Sequence, residues 1–576
     1  MKKTIYFTLL CCSFLVSCKN NTKIKDTEKQ QLHNIIQAVE NHKGYDKETY
    51  PLGVFTKSYF KSEAEFAKQQ LNHLKTINVN QLQQTDRISR ELLMFVLQDK
   101  IDFYEYQQYL NPLLSDTGFH NDLVYEVKPL NDYTAVKSYL NILNAIPEFV
   151  DQHIENLREG LQKGVSQPLV IFKGYESTYD DHIVEDYRES YYYSPFKNLP
   201  STLTHKQQDS VLNAAKMAIE NKVIPQFKRI KVFFEEEYFP NTRTTLGIFN
   251  IPNGSEYYQN RINFYTTSTQ YTAEDIHQIG LSEVARIKSE MESIISDLGF
   301  EGSFEDFFQY LRTDEQFQAQ TSKELLMFAR DIAKRIDAQL PRFFKTLPRK
   351  PYGVEPVPEA IAPKYTSGRY IGTSKNSTEP GYYWVNTYDL PNRTLYTIPA
   401  LTAHEAVPGH HLQISLNNEL SDDIPKFRQN LYLSAYGEGW GLYSEYLADE
   451  MGIYITPYEK FGQLTYEMWR ACRLVVDTGI HAKGWTRKQV VDFMAANTAL
   501  SMHEINTETD RYISWPGQAL SYKVGELKIR ELRQKAEDAL GSKFDIREFH
   551  EVILGQGTVT LSILEELVDD YIENNK

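Results

Sequence analysis

Residues 404–411 read His-Glu-Ala-Val-Pro-Gly-His-His, and this octet is the most informative stretch of the chain for its fold and its chemistry. A His-Glu pair followed by more histidine within two helical turns is the residue set with which proteins hold zinc and activate water. The usual motif places its histidines at positions i and i+4, on one helical face. Here position i+4 is Pro408, so the octet predicts an interrupted helix.

The Pro408-Gly409 pair predicts how a second histidine reaches His404. On a straight helix His410, at i+6, would lie about 240° around and about 9 Å along the axis from His404. Zn–N bonds are only about 2.0–2.1 Å long, so a straight helix cannot bring both rings to one ion. Proline breaks the turn and glycine admits unusual backbone angles, so we expect a bulge that returns His410 or His411 toward His404. The alternative is two surface histidines beside a helix end.

A second cluster, Gly-Glu-Gly-Trp-Gly-Leu-Tyr-Ser-Glu at 437–445, carries two glutamates seven residues apart. On a helix they share one face. We expect Glu438 to complete a His₂Glu set and Glu445 to accept the N–H of a ligand histidine. A solvated helix face is the alternative. Three glycines weaken a helix by about 1 kcal/mol each relative to alanine, so they indicate close packing against another element.

At these residues the chain resembles the bacterial family called domain of unknown function 885, which includes many lipoproteins. The resemblance extends from about residue 246 to about residue 525. The stretches that carry it are HEAVPGHHLQ (404–413), EGWGLYSE (438–445), IPNG (251–254), GYYWVNT (381–387), VVDTGIHAKGW (475–485) and DRYISWPGQALSYKVG (510–525).

That family is similar to the gluzincin metallopeptidases, which hold zinc with two histidines and one glutamate. The resemblance therefore implies a mostly helical metallopeptidase fold. In related gluzincins the second ligand belongs to a Gly-His pair, which favours His410 over His411 as the ligand. His411 is then expected beside the ligands rather than on the metal.

The expected chemistry is hydrolysis of a peptide bond at a Zn²⁺ ion held by His404, His410 and Glu438. Glu405 would take a proton from the water that the metal activates and return it to the leaving amine.

Charge on the tetrahedral oxygen calls for a second electrophile, for which the candidates are His481, Arg511 and Tyr512. Asp477 stands four residues before His481 and would fix its tautomer; a helix-capping histidine is the alternative. Arg511 could instead hold the C-terminal carboxylate of a peptide. The alternative for Arg511 and Tyr512 is ordinary pairing and packing.

The N-terminus has the pattern of a secretory signal, with a basic start at residues 1–3 and an apolar run at 5–16. Its end, Leu-Val-Ser-Cys, resembles the lipobox of bacterial lipoproteins. We therefore expect a signal peptide at 1–17 and a lipid on Cys18, followed by a flexible tether to residue 45. A soluble secreted protein is the alternative.

Membrane attachment is expected through this lipid alone, since the apolar run is shorter than the roughly 20 residues that a spanning helix needs. Lys19, standing where lipoproteins retained at the inner membrane carry Asp, favours the outer membrane of the bacterial envelope.

A net charge of −15 argues against nucleic acid as a partner. Cys472 remains without a disulfide partner, and a buried structural thiol is favoured over a nucleophile.

Helical periodicity of 3.6 residues dominates the chain and predicts a mostly α fold with a small β-sheet beside the zinc helix. We expect an N-terminal helical region at 46–240 and a catalytic region at 241–576. The predicted helical runs are 59–110, 134–163, 203–238, 273–298, 322–345, 425–475, 486–498 and 518–541. The predicted strands are 169–172, 245–251 and 382–388.

The strand at 381–387 stands about twenty residues before the octet, which suggests a role in substrate binding. Peptidases often add an extended substrate to a sheet edge, where main-chain hydrogen bonds hold it. Tyr383 and Asn386 are the residues expected to line it. A buried strand with aromatic packing is the alternative.

The sequence thus favours a lipid-anchored zinc metallopeptidase acting on a peptide substrate. Three alternatives stay open. They are a zinc amidase or esterase on the same site, a non-catalytic helical lipoprotein that binds nutrients, and a structural lipoprotein.

Overall fold

Helices dominate the computed structural model of the chain, which describes residues 28–359 and 361–576. Helix accounts for 69% of the chain and strand for 3%, so the expectation of a mostly α fold with a small sheet is confirmed. The expected signal peptide and the lipidation site Cys18 lie outside the described residues. In the described part of the chain, no helix combines the length and apolar character that a membrane crossing requires.

The helices are numbered in chain order. Up to residue 265 they are α1 (28–40), α2 (Lys57–Thr76), α3 (Gln84–Glu105), α4 (Phe119–Asp122), α5 (Tyr133–Lys163), α6 (Ser177–Asp180), α7 (His205–Ala218), α8 (Ile224–Val232) and α9 (Gly254–Tyr265). Beyond it come α10 (Ala273–Asp297), α11 (Phe304–Thr313), α12 (Ser322–Asp337), α13 (Leu340–Phe343), α14 (Ile398–Glu405), α15 (His410–Asn418), α16 (Lys426–Gln429), α17 (Ser434–Glu450), α18 (Pro457–Lys483), α19 (Arg487–Asn497), α20 (Met502–Ser514), α21 (Ser521–Leu540), α22 (Ile546–Leu554) and α23 (Leu561–Asn575).

The described chain divides into two compact units. The first contains the residues up to Asp86, Leu93–Tyr257 and Thr507–Trp515, and the second contains Arg87–Leu92, Tyr258–Asn506 and Pro516–Lys576. The chain therefore passes between the units more than once, and the expected bounds of 46–240 and 241–576 stay a prediction.

Long periodic runs predicted helices well where nothing interrupts them. The run at 134–163 is α5 and the run at 273–298 is α10. The run at 425–475 is instead divided among α16, α17 and α18. The sequence did not reveal these breaks, because short turns leave the average periodicity of the run almost unchanged. Helix α1 occupies much of the expected tether, and its Leu32 and Ile36 are buried, so that part of the segment is structured rather than flexible.

The second unit is built around two close helix pairs. Helices α10 and α18 pack along each other, and a methyl group at Gly280 of α10 would lie 2.8 Å from Leu474 and Val475 of α18. Helix α18 starts at a capping box of Thr456 and Glu459. Helices α17 and α21 form the second pair. This frame holds α14 against α17 and α18, which positions the octet.

A three-stranded sheet stands beside α14 in the order β1-β3-β2, with β1 at Tyr352–Pro356, β2 at Gly368–Ile371 and β3 at Gly381–Val385. Strand β3 pairs with β1 in parallel and with β2 antiparallel, so it is the central strand. The expected strands at 169–172 and 245–251 are wrong, because these segments contain 3₁₀ turns. Short apolar runs do not distinguish strand from helical turn by periodicity.

Central placement of β3 corrects the expected substrate strand, because both of its edges are already paired. Tyr383 is fully buried, and its hydroxyl accepts a hydrogen bond from Thr402 at 3.4 Å. Asn386 is also fully buried, and its amide donates to three main-chain carbonyls, one of them that of Ala362. Both residues therefore stabilise the sheet and its loop, in agreement with the buried-strand alternative.

Candidate metal centre

The helix that carries the octet is interrupted where Pro408-Gly409 predicts it. Helix α14 ends at Glu405, and α15 begins at His410. Gly409, between them, has φ −73° and ψ −128°, outside the helical region. A methyl group on Gly409 would overlap the carbonyl oxygen of His404, so this close approach of backbone to backbone requires glycine.

The interruption brings His404 and His410 together with Glu438 of α17. The Glu438 Oε2 atom lies 3.5 Å from Nε2 of His404 and 3.6 Å from Nε2 of His410. The potential ligand atoms of the three residues all lie within 4.8 Å of one another. The two imidazole planes are 87° apart, so their nitrogens approach a common point from different directions. This group could hold a metal ion.

Glu445 stands behind His404. Its Oε1 atom lies 2.8 Å from His404 Nδ1, and its side chain is fully buried. An Nδ1–H donated to this carboxylate leaves the Nε2 lone pair directed at the cluster. Arg470 of α18 lies 3.8 Å from the same oxygen, so a buried cation in turn faces Glu445.

Electrostatics in the cluster favour a positive charge. Burial alone would lower the pKa of His404, but hydrogen bonds with Glu438 and Glu445 outweigh burial and raise it to about 10. Burial would raise the pKa of the Glu438 carboxyl, yet its contacts with His404 and His410 hold that pKa well below its usual value. A proton or a metal ion at the histidines therefore satisfies both carboxylates.

Glu405 is the last residue of α14 and is partly exposed. Its Oε2 atom accepts a hydrogen bond of 2.8 Å from the main-chain N–H of Tyr370 in β2. This contact orients the carboxylate next to the first histidine of the cluster.

Each glycine of α17 lies against a close neighbour that a larger side chain would displace. The three glycines in the sequence of this helix predicted such close packing. A methyl group at Gly439 would lie 2.6 Å from Gly525 of α21, where the two helices meet. One at Gly441 would lie 2.6 Å from the imidazole of His404. The cost of glycine in this helix is thus offset by helix packing and by space for a cluster histidine.

Comparison with known families supports the resemblance seen in the sequence. The family model described as "Bacterial protein of unknown function (DUF885)" matches residues 41–568. The chain belongs to this family. None of the curated proteins compared matches the chain.

Two solved structures are similar to this DUF885 chain. One is "the putative lipoprotein from Colwellia psychrerythraea", with 26% identity and a TM-score of 0.84 over 96% of this chain and 99% of that one. The other is "a putative lipoprotein of unknown function from Shewanella oneidensis", with 18% identity and a TM-score of 0.66 over 95% and 98%. The second likeness concerns the fold alone. Similarity to gluzincins stays a prediction.

His411 of the DUF885 chain faces away from the cluster. Its Nδ1 atom lies 3.1 Å from the Tyr370 hydroxyl, and its ring packs against those of Tyr352 and Tyr370. Burial lowers its pKa to about 4, so the ring is neutral. His411 thus contacts Tyr370, whose main-chain N–H holds Glu405, and its expected place beside the ligands stays a prediction.

Helix α18 places Asp477 and His481 in the interior. The Asp477 carboxylate accepts hydrogen bonds from the Tyr258 hydroxyl at 2.6 Å and from the Gly517 N–H, so the groups that hold it differ from the expected His481. His481 is fully buried with its ring 5.3 Å from that of Tyr258.

Cys472 is buried too, and burial raises the pKa of its thiol, in agreement with a structural role.

Arg511 and Tyr512 lie inside helix α20, and not in a loop before a helix as the sequence suggested. They belong to the first unit, whereas the cluster belongs to the second. The Arg511 guanidinium lies 3.3 Å from Glu508 and 5.9 Å from the Trp515 ring centre. Tyr512 is 1% exposed. Polar residues fill most of α20, and its sequence was therefore interpreted as a loop.

Sequence reasoning missed two residues at the cluster. The indole N–H of Trp440 donates to the carbonyl of Pro408 at 2.8 Å and fixes the interruption of the helix. The hydroxyl of Tyr432 donates to Oε1 of Glu438 at 2.8 Å. Trp440 sits among the glycines of α17, which was a usable signal, but Tyr432 lies in a loop and only the fold brings it to the cluster.

Proposed function

We propose that the chain is a zinc-dependent hydrolase that cleaves peptides and is anchored to the bacterial cell envelope by lipid. The observation that carries this proposal is the convergence of His404, His410 and Glu438, with Glu405 beside the first ligand. Two imidazoles and one carboxylate, with room for one more ligand, are the donor set of catalytic zinc sites.

The two distances from Glu438 to the histidines suit zinc. Bonds of about 2.0–2.1 Å in a tetrahedral arrangement place neighbouring ligand atoms roughly 3.3 Å apart. The separations of 3.5 Å and 3.6 Å from Glu438 are close to that value. Two buried carboxylates around a pair of histidines call for a positive charge, and a zinc ion would supply it.

Each residue of the cluster has a distinct role in the proposed reaction. Bound there, zinc would polarise the substrate carbonyl and lower the pKa of a water toward about 7. Glu445 keeps His404 in the tautomer that offers Nε2 to the metal. Glu405 takes the proton of the attacking water and then passes it to the leaving amine. The Tyr370 N–H holds Glu405 in position for both transfers.

Strand β2 favours a peptide over a small ester as the substrate. It is an edge strand of the sheet, and in an antiparallel pair alternate residues direct their main-chain groups away from the neighbour. The Tyr370 N–H donates to Glu405, so this outward edge runs beside the carboxylate proposed here as the proton acceptor. A peptide lying along this edge would pass Glu405, and its main chain would pair with outward groups of β2 other than the Tyr370 N–H. This replaces β3 as the expected substrate strand.

Attachment to the envelope is supported by the structural neighbour with 26% identity, whose title calls it a "putative lipoprotein". The sequence pattern that ends at Cys18 points to the same anchor. Outer-membrane placement rests on Lys19 alone and is part of the proposal.

The test compares the full-length protein in detergent with its Glu405→Gln variant. Glutamine keeps the size of the side chain and can accept the Tyr370 hydrogen bond, but it cannot take a proton from water. We expect both proteins to contain zinc, and we expect the variant to digest a peptide mixture at least about 10²-fold more slowly. Chelator should abolish digestion by the wild type.

Each alternative function predicts a different result. A protein that contains zinc and hydrolyses amide or ester compounds but no peptide would be an amidase or esterase. A protein without metal or hydrolytic activity would be a binding or structural lipoprotein. Near wild-type digestion by Glu405→Gln would remove this residue from the mechanism.

A further inference from the structure

The two oxygens of the Glu438 carboxylate have different surroundings. Oε2 faces His404 and His410 at 3.5 Å and 3.6 Å. Oε1 accepts the hydroxyl of Tyr432 at 2.8 Å. One oxygen is therefore available to a metal ion, while the other is occupied by a hydrogen bond.

The ring of Tyr432 is held by the backbone of α17. It lies over Gly437, where a methyl group would be 2.5 Å from the ring edge and 2.7 Å from the hydroxyl. Alanine at this position would displace the ring. Tyr432 is 51% exposed, so half of the residue faces solvent. Its hydroxyl nevertheless binds the Glu438 carboxylate.

We propose that Tyr432 is a positioning residue that restricts Glu438 to a single oxygen contact with the metal. The inference rests on the proposed metal site. A carboxylate can bind a metal ion through one oxygen or through both. Hydrogen bonds from neighbouring side chains decide how a ligand is oriented. With Oε1 held by Tyr432, Glu438 occupies one position on the ion.

Restriction to one oxygen matters for catalysis because a catalytic metal needs an open position. Two histidines and a one-oxygen glutamate leave the fourth position of a tetrahedral ion free. A glutamate that rotated to bind through both oxygens would fill that position. The tyrosine hydroxyl thus keeps space for the substrate without contacting the metal.

Cobalt substitution tests the inference through a readout independent of turnover. The full-length protein is stripped with chelator and titrated with Co²⁺, whose visible d–d absorption is intense in four-coordinate sites and weak at higher coordination. The variants are Tyr432→Phe, which removes the hydroxyl, and Gly437→Ala, which displaces the ring and covers the case of an unstable Tyr432→Phe. Tyr388→Phe is the matched control, since Tyr388 is 52% exposed in the same unit.

We expect intense absorption in the wild type and in Tyr388→Phe, and clearly weaker absorption per bound Co²⁺ in Tyr432→Phe and Gly437→Ala. If the wild type binds Co²⁺ and the spectra of Tyr432→Phe and Gly437→Ala equal its spectrum, the role of Tyr432 is refuted while the metal site stands. If the wild type binds no Co²⁺, the metal site itself is refuted, and the role of Tyr432 with it.

Discussion

Two buried histidines, one in each unit of this protein, are in opposite electrostatic states. His404, in the second unit, is 3% exposed and has two carboxylates at its ring, which raise its pKa to about 10 against the effect of burial. His153, in the first unit, is 5% exposed and lies among the rings of Phe55, Phe119 and Phe149, and burial lowers its pKa to about 3.

The difference shows that burial alone does not make a histidine a metal ligand. Within the described residues, neither ring nitrogen of His153 has a hydrogen-bond partner, so the residue acts as a flat aromatic ring in an apolar core. Both nitrogens of His404 face carboxylates. Convergence of acidic side chains on the ring separates a candidate site from a core position.

The largest expected effect is loss of metal from the second unit alone. His404→Ala, His410→Ala and Glu438→Ala should each reduce bound zinc from about one ion per chain to nearly none, because a three-ligand site does not survive loss of a ligand. His411→Ala should keep its metal, and so should His153→Phe. Metal analysis of the purified proteins measures this. A site emptied by His411→Ala but not by His410→Ala would contradict the assigned second ligand.

Acid should destabilise the first unit through its buried neutral histidines. The pKa values of His120 and His153 are both lowered to about 3, so between their ordinary values and pH 3 the unfolded state binds more protons than the folded state. Stability is then complete above about pH 6.5 and falls as the pH drops. At pH 5 the free energy of unfolding should be lower by roughly 2 kcal/mol for each histidine.

Hydrogen exchange of peptides from residues 93–257 at pH 7.5 and 5 measures this loss. His153→Phe should remove a substantial part of it, because one of the unit's histidines with a lowered pKa is gone. An equal loss of protection in the variant and the wild type would show that His153 does not account for the acid sensitivity.

A smaller effect is expected from Gly441→Ala, which tests how closely α17 approaches the cluster. The added methyl group would lie 2.6 Å from the His404 ring, and such overpacking costs about 1–3 kcal/mol. Zinc affinity should fall about 10- to 100-fold, as measured by competition with a chelator. Gly372→Ala is the control, since its methyl group would meet neighbours at 3.5 Å, an ordinary contact. Unchanged affinity in Gly441→Ala would mean that the helix can shift without moving the ligand.

The smallest effect is expected from Arg511→Lys. Lysine keeps the positive charge at this position, so kinetics on a short peptide and on its C-terminally amidated form should be nearly unchanged. The partly exposed Arg511–Glu508 ion pair on one helix should itself contribute less than about 1 kcal/mol. A KM raised only for the free peptide would instead indicate a carboxylate clamp.

A loss of about 10²–10³ in kcat for Tyr512→Phe on both peptides would identify an oxyanion donor.

The sequence by itself determined the helical class, the interrupted helix at Pro408-Gly409 and the identity of the clustered residues. These inferences rest on local physics. Proline and glycine act on their own turn of backbone, and the chemistry of His404, Glu405 and Glu438 belongs to their side chains. The glycines of α17 likewise predicted close packing of this helix, although the sequence did not identify the residues that pack against it.

Tertiary structure alone decided which groups meet across long separations. Pairing makes β3 the central strand and β2 the edge beside Glu405, an order that the strand sequences do not encode locally. Asp477 is bound by Tyr258, 219 residues away in the chain, rather than by a neighbour on its own helix. Such contacts depend on how whole helices pack, and periodicity along one element contains no information about its neighbours.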